Sequence, residues 1–313
     1  MRVLPLVLLP IMAAACTAAA PEARQAPVKA PGRYVETITA EGKARKFVLR
    51  VPKGYDGTKP VPIVMVLHGW TGSADSAELY TRMGEKADKE GFVAVFPDGL
   101  GNSGFQGWNV DWINLTGLTN PAPDDVSFLK SVLDQVEKEV TFDKNREFVV
   151  GHSNGAFMAN LLGSKLGGRL AAIASMAGSI GLNPEHEIPT PTSPVSVMLL
   201  HGRADHMVSY EAGASALLKS IGAVESAKFW AKADGCSDTP ATTKSADGKI
   251  QTDRHTGGKN GTEVVLISVD GAPHDWWGGL GRTQEGKPFD VPTYGAPVAD
   301  LVWDFFRTHP KQP

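Results

Sequence analysis

The chain has 313 residues, a formal net charge of −3, 42% hydrophobic residues and 21% charged residues. This is ordinary globular usage, which excludes wholesale disorder, and it lacks the basic surplus expected of a nucleic-acid or polybasic membrane binder. Two cysteines make no disulfide framework and no Cys/His cluster has zinc spacing, so neither a metal nor an organic cofactor nor an obligate protein partner is inferred.

Arg2 followed by the apolar run 3–15, which ends in small residues, has the grammar of an export signal and is too short to span a bilayer. Ala13-Ala14-Ala15-Cys16 resembles a bacterial lipobox, with Ala13 where leucine is usual. It predicts a signal peptide over 1–16 and a lipid on Cys16, the only membrane contact expected. The alternative is plain cleavage near Ala18-Ala19-Ala20, which would leave the protein secreted or periplasmic. Residues 17–31, rich in Ala and Pro, read as a flexible tether, and 32–313 read as one domain.

Residues 34–51 alternate like a half-buried hairpin that turns near Glu41-Gly42. Short apolar runs at 62–67, 92–96, 147–150, 171–176, 195–200 and 264–269 read as buried strands. Apolar residues at three- and four-residue spacing predict helices over 76–90, 124–139, 154–165, 210–221 and 297–308. Alternating strands and helices define an α/β chain with a mostly parallel sheet covered on both faces. Two stretches break the alternation. Residues 100–123 form a long loop, an ordered wall or a lid, and 236–261 are polar and partly a hairpin.

The segment Gly151-His152-Ser153-Asn154-Gly155 lies between a strand and a helix. Glycine at both ends permits a sharp turn that lifts the Ser153 hydroxyl above the sheet at a helix N-terminus. A serine hydroxyl is a weak nucleophile, so a base and an orienting acid must follow, in the order acid then histidine. Asp205 lies one short loop past the strand at 195–200, and His274 one short loop past the strand at 264–269. His274 would take the Ser153 proton while Asp205 holds its tautomer. Among competitors, Asp275 suits the acid role poorly, His206 would point away, and His201 reads as a satisfied strand-end histidine.

An oxyanion hole needs two backbone N–H donors. Asn154 N–H follows the nucleophile, and Trp70 N–H comes from the loop His68-Gly69-Trp70, where His68 reads as structural. Trp108, Trp112, Trp276 and Trp277 fall on loops expected to crowd the sheet edge, as aromatic substrate contacts or as packing anchors. Asp98 and Asp111 read as turn caps.

With these residues in place, the chain resembles an α/β-hydrolase, and more narrowly the polyhydroxybutyrate depolymerase and feruloyl esterase-like group, including its lipoproteins. The matching pieces are Leu67 to Trp70, Phe96 to Gly99, Trp108-Asn109, Asp124 to Val126, Gly151 to Ala156, His201 to Asp205 and Gly271 to Trp276. The resemblance implies a Ser153–Asp205–His274 triad acting on small or polymeric esters through an acyl-enzyme. Relatives often carry a disulfide-forming cysteine near Cys236, but no later cysteine exists here, so Cys236 reads as a buried inert thiol. Two alternatives stay open: a secreted serine peptidase, and a non-catalytic surface binding protein on the same fold.

Overall fold

The computed structural model describes residues 29–102, 105–111, 113–118, 121–181, 188–213, 220–283 and 285–312. The predicted signal peptide, Cys16 and Trp112 lie outside the described residues, as does most of the predicted tether. In chain order the main elements are β1 (Gly32–Ala40), β2 (Lys43–Val51), β3 (Val61–Leu67), α1 (Ala74–Thr81), α2 (Met83–Glu90), β4 (Val93–Pro97) and α3 (Asp125–Val136). There follow β5 (Phe142–His152), α4 (Asn154–Leu166), β6 (Ala172–Met176), β7 (Ser196–Gly202), α5 (Ala223–Asp234), β8 (Ala241–Lys244), β9 (Ile250–His255), β10 (Val264–Val269) and α6 (Val298–Thr308).

One sheet takes all of these strands in the order β1-β2-β4-β3-β5-β6-β7-β10-β9-β8. The six from β4 to β10 run parallel, and antiparallel hairpins flank them on both sides. The sequence explains this layout. In β3, β4, β6 and β10 nearly every residue is buried, as strands covered on both faces require, whereas β1 alternates between partly buried and exposed. Its turn places both Glu41 (φ 50°) and Gly42 (φ 72°) in the left-handed region, the geometry that continues the strand twist in a two-residue hairpin.

Two apolar layers cover the sheet. One contains Phe128 and Leu129 of α3, Phe157 and Met158 of α4, and Trp230 of α5. The other contains Ala77 of α1, Met83 of α2, and Trp303 and Phe306 of α6, with Phe306 stacked on Phe148 at 4.6 Å. A buried ion pair, Arg45 Nη2 to Asp125 Oδ1 at 2.6 Å, joins β2 to α3, and the Arg45 guanidinium lies 3.6 Å from the Phe128 ring centroid. Asp125 Oδ2 also accepts from Asn109 N–H at 2.8 Å, so this ion pair anchors the loop that leads into α3.

Three expectations are corrected. The predicted helix over 76–90 is two helices, broken at Arg82, whose φ of 57° no α-helix tolerates. The predicted helix over 210–221 does not stand as drawn. Residues 214–219 lie outside the described residues, 210–213, 220 and 221 are not helical, and the next described helix is α5, entered through Gly222 (φ 94°) and left through Gly235 (φ 74°). Within 100–123, Leu100–Asn102 pairs with Phe105–Gly107 and Asn109–Val110 with Ile113–Asn114, so much of that stretch is built from short hairpins. No helix among the described residues is long and apolar enough to cross a membrane.

Candidate active site

β5 and α4 meet at Ser153, whose φ of 55° and ψ of −119° lie in a region costly for a residue with a side chain. The surroundings hold it there. Ser153 N–H donates to Met176 O at 2.9 Å, and Ser153 O accepts from Ala156 and Phe157 N–H. Both flanking glycines are obligatory. A Cβ on Gly151 would sit 2.0 Å from Gly155 O, and one on Gly155 would sit 2.4 Å from Leu67 O. Strand and helix therefore approach as closely as bare backbone allows, and the serine projects at the carboxyl edge of the sheet, where open α/β sheets bind ligands.

The loops after β7 and β10 bring Asp205 and His274 together, with His274 Nδ1 2.7 Å from Asp205 Oδ2. Asp205 Oδ1 accepts from Met207 and Val208 N–H, each at 2.9 Å. His201 Nε2 lies 3.4 Å from Oδ2 and donates to Val208 O at 2.8 Å. Burial opposes ionisation of Asp205, but hydrogen bonding and charge from His201 and His274, with His274 much the closer, hold its carboxyl well below the usual carboxylate range. With Nδ1 donating to this carboxylate, His274 keeps Nε2 as the basic nitrogen. His206 is exposed beside them.

Trp70 N–H has no hydrogen-bond acceptor among the described residues, while its neighbour Thr71 N–H donates to Gln106 O at 2.7 Å. Asn154 opens α4, so its N–H has no acceptor within the helix. Its buried side chain is fixed by Trp108, accepting from Trp108 N–H at 2.6 Å and donating to Trp108 O at 3.2 Å. His68 holds the Trp70 loop. Its Nε2 accepts from Gly99 N–H at 2.9 Å, its Nδ1 lies 2.7 Å from Gly69 O, and burial pushes the ring down to about 4, so it stays neutral.

Ser153 and His274 line a cavity of about 910 Å³ whose walls include Trp70, Tyr80, Met207, Trp276 and Phe289. Trp70, Met207 and Phe289 are 47%, 45% and 45% exposed, which leaves an apolar rim at the mouth. Two predicted substrate contacts are corrected. Trp108 is wholly buried with Nε1 donating to His68 O at 2.8 Å, and Trp277 is wholly buried with Nε1 donating to Pro273 O at 3.2 Å; neither lines the cavity. Both are packing anchors. Asp98 pairs with Lys46 and caps Ala74 N–H, and Asp111 pairs with Lys165, away from the cavity. Cys236 is buried, its thiol pushed up to about 11 by burial and by the nearby Asp234 and Glu263 carboxylates.

Sequence reasoning missed Tyr80, Met207 and Phe289. Met207 was open to notice, two residues after Asp205. Phe289 sits on a small hairpin, Leu280–Arg282 with Pro288–Asp290, and its ring covers Gly281 so closely that a Cβ there would meet it at 2.3 Å. Among the described residues no group of three His, Cys, Asp or Glu is placed to hold a metal ion.

The fold and this strand–turn–helix serine define an α/β-hydrolase. A solved acetyl xylan esterase from Aspergillus awamori shares the fold with a TM-score of 0.62 and 14% identity, over 88% of this chain and 99% of that one. Residues 38–264 match the family described as putative esterase. The chain belongs to this esterase family, and with it to the carboxylic ester hydrolases. It is 26% identical to feruloyl esterase B of Piromyces equi over 79% of its own length, although it spans only 46% of that longer protein. It is 28% identical to the putative esterase NocK of Nocardia uniformis subsp. tsuyamanensis, over 77% of this chain and 73% of that one.

Proposed function

We propose that residues 32–313 form the catalytic domain of an exported serine esterase acting through an acyl-enzyme. The observation that carries this reading is Ser153 in its strained turn, sharing one cavity with a His274 whose Nδ1 is committed to the buried Asp205. Ser153 Oγ attacks the ester carbonyl as His274 Nε2 takes its proton, and Asp205 stabilises the imidazolium. Trp70 and Asn154 N–H receive the charge on the tetrahedral oxygen. The imidazolium then gives its proton to the departing alcohol. Water, deprotonated by His274, releases the acid and restores Ser153.

For substrate we propose hydroxycinnamoyl or acetyl esters, with 3-hydroxyalkanoate oligomers as the second candidate. The names of the relatives support the first two, and the apolar rim of Trp70, Met207 and Phe289 suits an aromatic or polyester acyl group. For localisation we propose export with a lipid on Cys16. The test compares wild type with Ser153→Ala on p-nitrophenyl acetate, methyl ferulate, acetylated xylan, 3-hydroxybutyrate oligomers and an aminoacyl anilide. Ester turnover should vanish in the variant together with labelling by a fluorophosphonate. Anilide turnover above ester turnover would make the protein a peptidase. No turnover and no labelling of folded wild type would make it a binding protein.

A further inference from the structure

Four rings converge beside the nucleophile. His152 ends β5 and is paired in register with Met176, so its backbone belongs to the rigid centre of the sheet. Its ring centroid lies 5.2 Å from that of His274, with the two planes tilted by 32°. Tyr80, from α1, meets His152 edge-on at 5.8 Å, and Trp276 meets it edge-on at 6.4 Å. Tyr80 and Trp276 close the group at 6.3 Å. His152 Nε2 and Trp276 Nε1 are both shut off from solvent with no hydrogen-bond partner among the described residues, while the buried Tyr80 Oη faces the Gly69 backbone N–H.

Two unsatisfied polar atoms in one ring cluster are unfavourable for stability alone, at about 1–3 kcal/mol for each such group, and they need a reason. Their location supplies one. His274 stands on a loop, and the hydrogen bond from Nδ1 to Asp205 leaves its ring free to turn about that bond. A flat ring fixed to the central sheet removes this freedom. Burial, and then the neighbouring His274, push His152 down to about 3, so it puts no second positive charge beside the imidazolium.

We infer that His152 is a positioning residue, whose neutral ring backs His274 and keeps Nε2 directed at Ser153, with Tyr80 and Trp276 bracing it. This rests on the reading of His274 as the base. The experiment measures kcat and KM on p-nitrophenyl acetate for His152→Ala and His152→Phe, together with the low-field proton resonance of the His274 Nδ1–H. Misplacement of a catalytic group by about 1 Å can lower a rate by about 100-fold. His152→Ala should therefore lose about 10- to 100-fold in kcat with KM within about twofold, and the resonance should broaden. His152→Phe, which restores a ring, should recover most of the loss.

Wild-type kcat with an unchanged resonance in His152→Ala would overturn the inference. So would a His152→Phe variant as slow as His152→Ala, since the imidazole itself would then be the active group. If His152→Ala does not fold, Trp276→Leu carries the same test from the bracing side: a comparable kcat loss is expected, and an unchanged kcat overturns the idea. His274→Ala, measured in parallel, separates the two levels. Retained turnover there would remove the base reading, whereas an inactive His274→Ala beside a fully active His152→Ala would remove only the positioning role.

Discussion

Both oxygens of Asp205 are committed, Oδ2 to His274 and Oδ1 to the Met207 and Val208 N–H groups. An asparagine cannot serve both sides: its NH2 must face either the two backbone donors or the His274 Nδ1–H. The ring escapes this conflict only in the wrong tautomer, with its proton on the nitrogen that should accept from Ser153. Asp205→Asn should therefore lower kcat about 10³- to 10⁴-fold with little change in KM. Steady-state kinetics on a p-nitrophenyl ester check this, and near-wild-type kcat would exclude Asp205 as the orienting acid.

Phe289 gives the apolar rim a separate test. Its ring lies over Gly281 on a hairpin outside the central sheet, and Arg82 ties that hairpin to the α1–α2 break through Asp290 at 3.3 Å. Aromatic contacts contribute about 0.5–1.5 kcal/mol beyond area burial. Phe289→Ala should lower kcat/KM for methyl ferulate about fivefold relative to p-nitrophenyl acetate. An unchanged ratio would mean that the aryl group binds elsewhere.

Asp234, the last residue of α5, is buried, and burial pushes its carboxyl up to about 7 despite the Val195 N–H that donates to Oδ1 at 3.2 Å. The folded protein thus holds this proton more tightly than the unfolded chain. Stability should be greatest below the unfolded carboxyl value near 4, fall as pH rises toward 7, and level off above. Asp234→Asn keeps the acceptor and removes the titration. It should raise stability at pH 8 by roughly 2–4 kcal/mol and leave it little changed at pH 4. Urea unfolding of both proteins across that range decides the matter, and parallel profiles would refute it.

The buried pair Arg45–Asp125 predicts a large effect from removing one partner. Asp125→Ala leaves the guanidinium unpaired and releases Asn109 N–H, at a cost of about 3–5 kcal/mol. The loss should appear as a lower urea midpoint. Because Asn109 adjoins the Trp108 backbone that grips Asn154, activity of the remaining folded protein should fall as well. A folded variant with wild-type stability would show that the pair contributes nothing net.

Where burial and motif agree, the sequence was sufficient. The strands at 62–67 and 264–269 are buried almost throughout, and apolar but for Ser268, because helices cover both faces, and the serine turn is fixed by two glycines with no room for a Cβ. Asp205 and His274 were placed by strand-end position, and the structure brings them within hydrogen-bonding distance. Other features depended on partners remote in sequence. Nothing in residue type separates the exposed Trp70 from the buried Trp108, whose Nε1 finds His68 O across the fold. The break at Arg82 interrupts an otherwise continuous helical pattern at a residue that is neither Gly nor Pro, with Gly84 two positions on. For α5 the punctuation was present, glycine at 222 and 235, although no helix was read between them.

The grip of Trp108 on Asn154 divides the 100–118 segment into two parts under different constraints. Residues 108 and 109 are bolted to Asn154, beside the Ser153 turn, and to α3, whereas Phe105, three positions earlier, is 57% exposed. The Phe105 side chain can thus be exchanged without touching the Trp108–Asn154 contact, whereas the Gln106 carbonyl, which accepts from Thr71 N–H at 2.7 Å, ties the backbone there to the Trp70 loop. Libraries aimed at new acyl groups should hold 106, 108 and 109 constant and vary the cavity rim at 207 and 289.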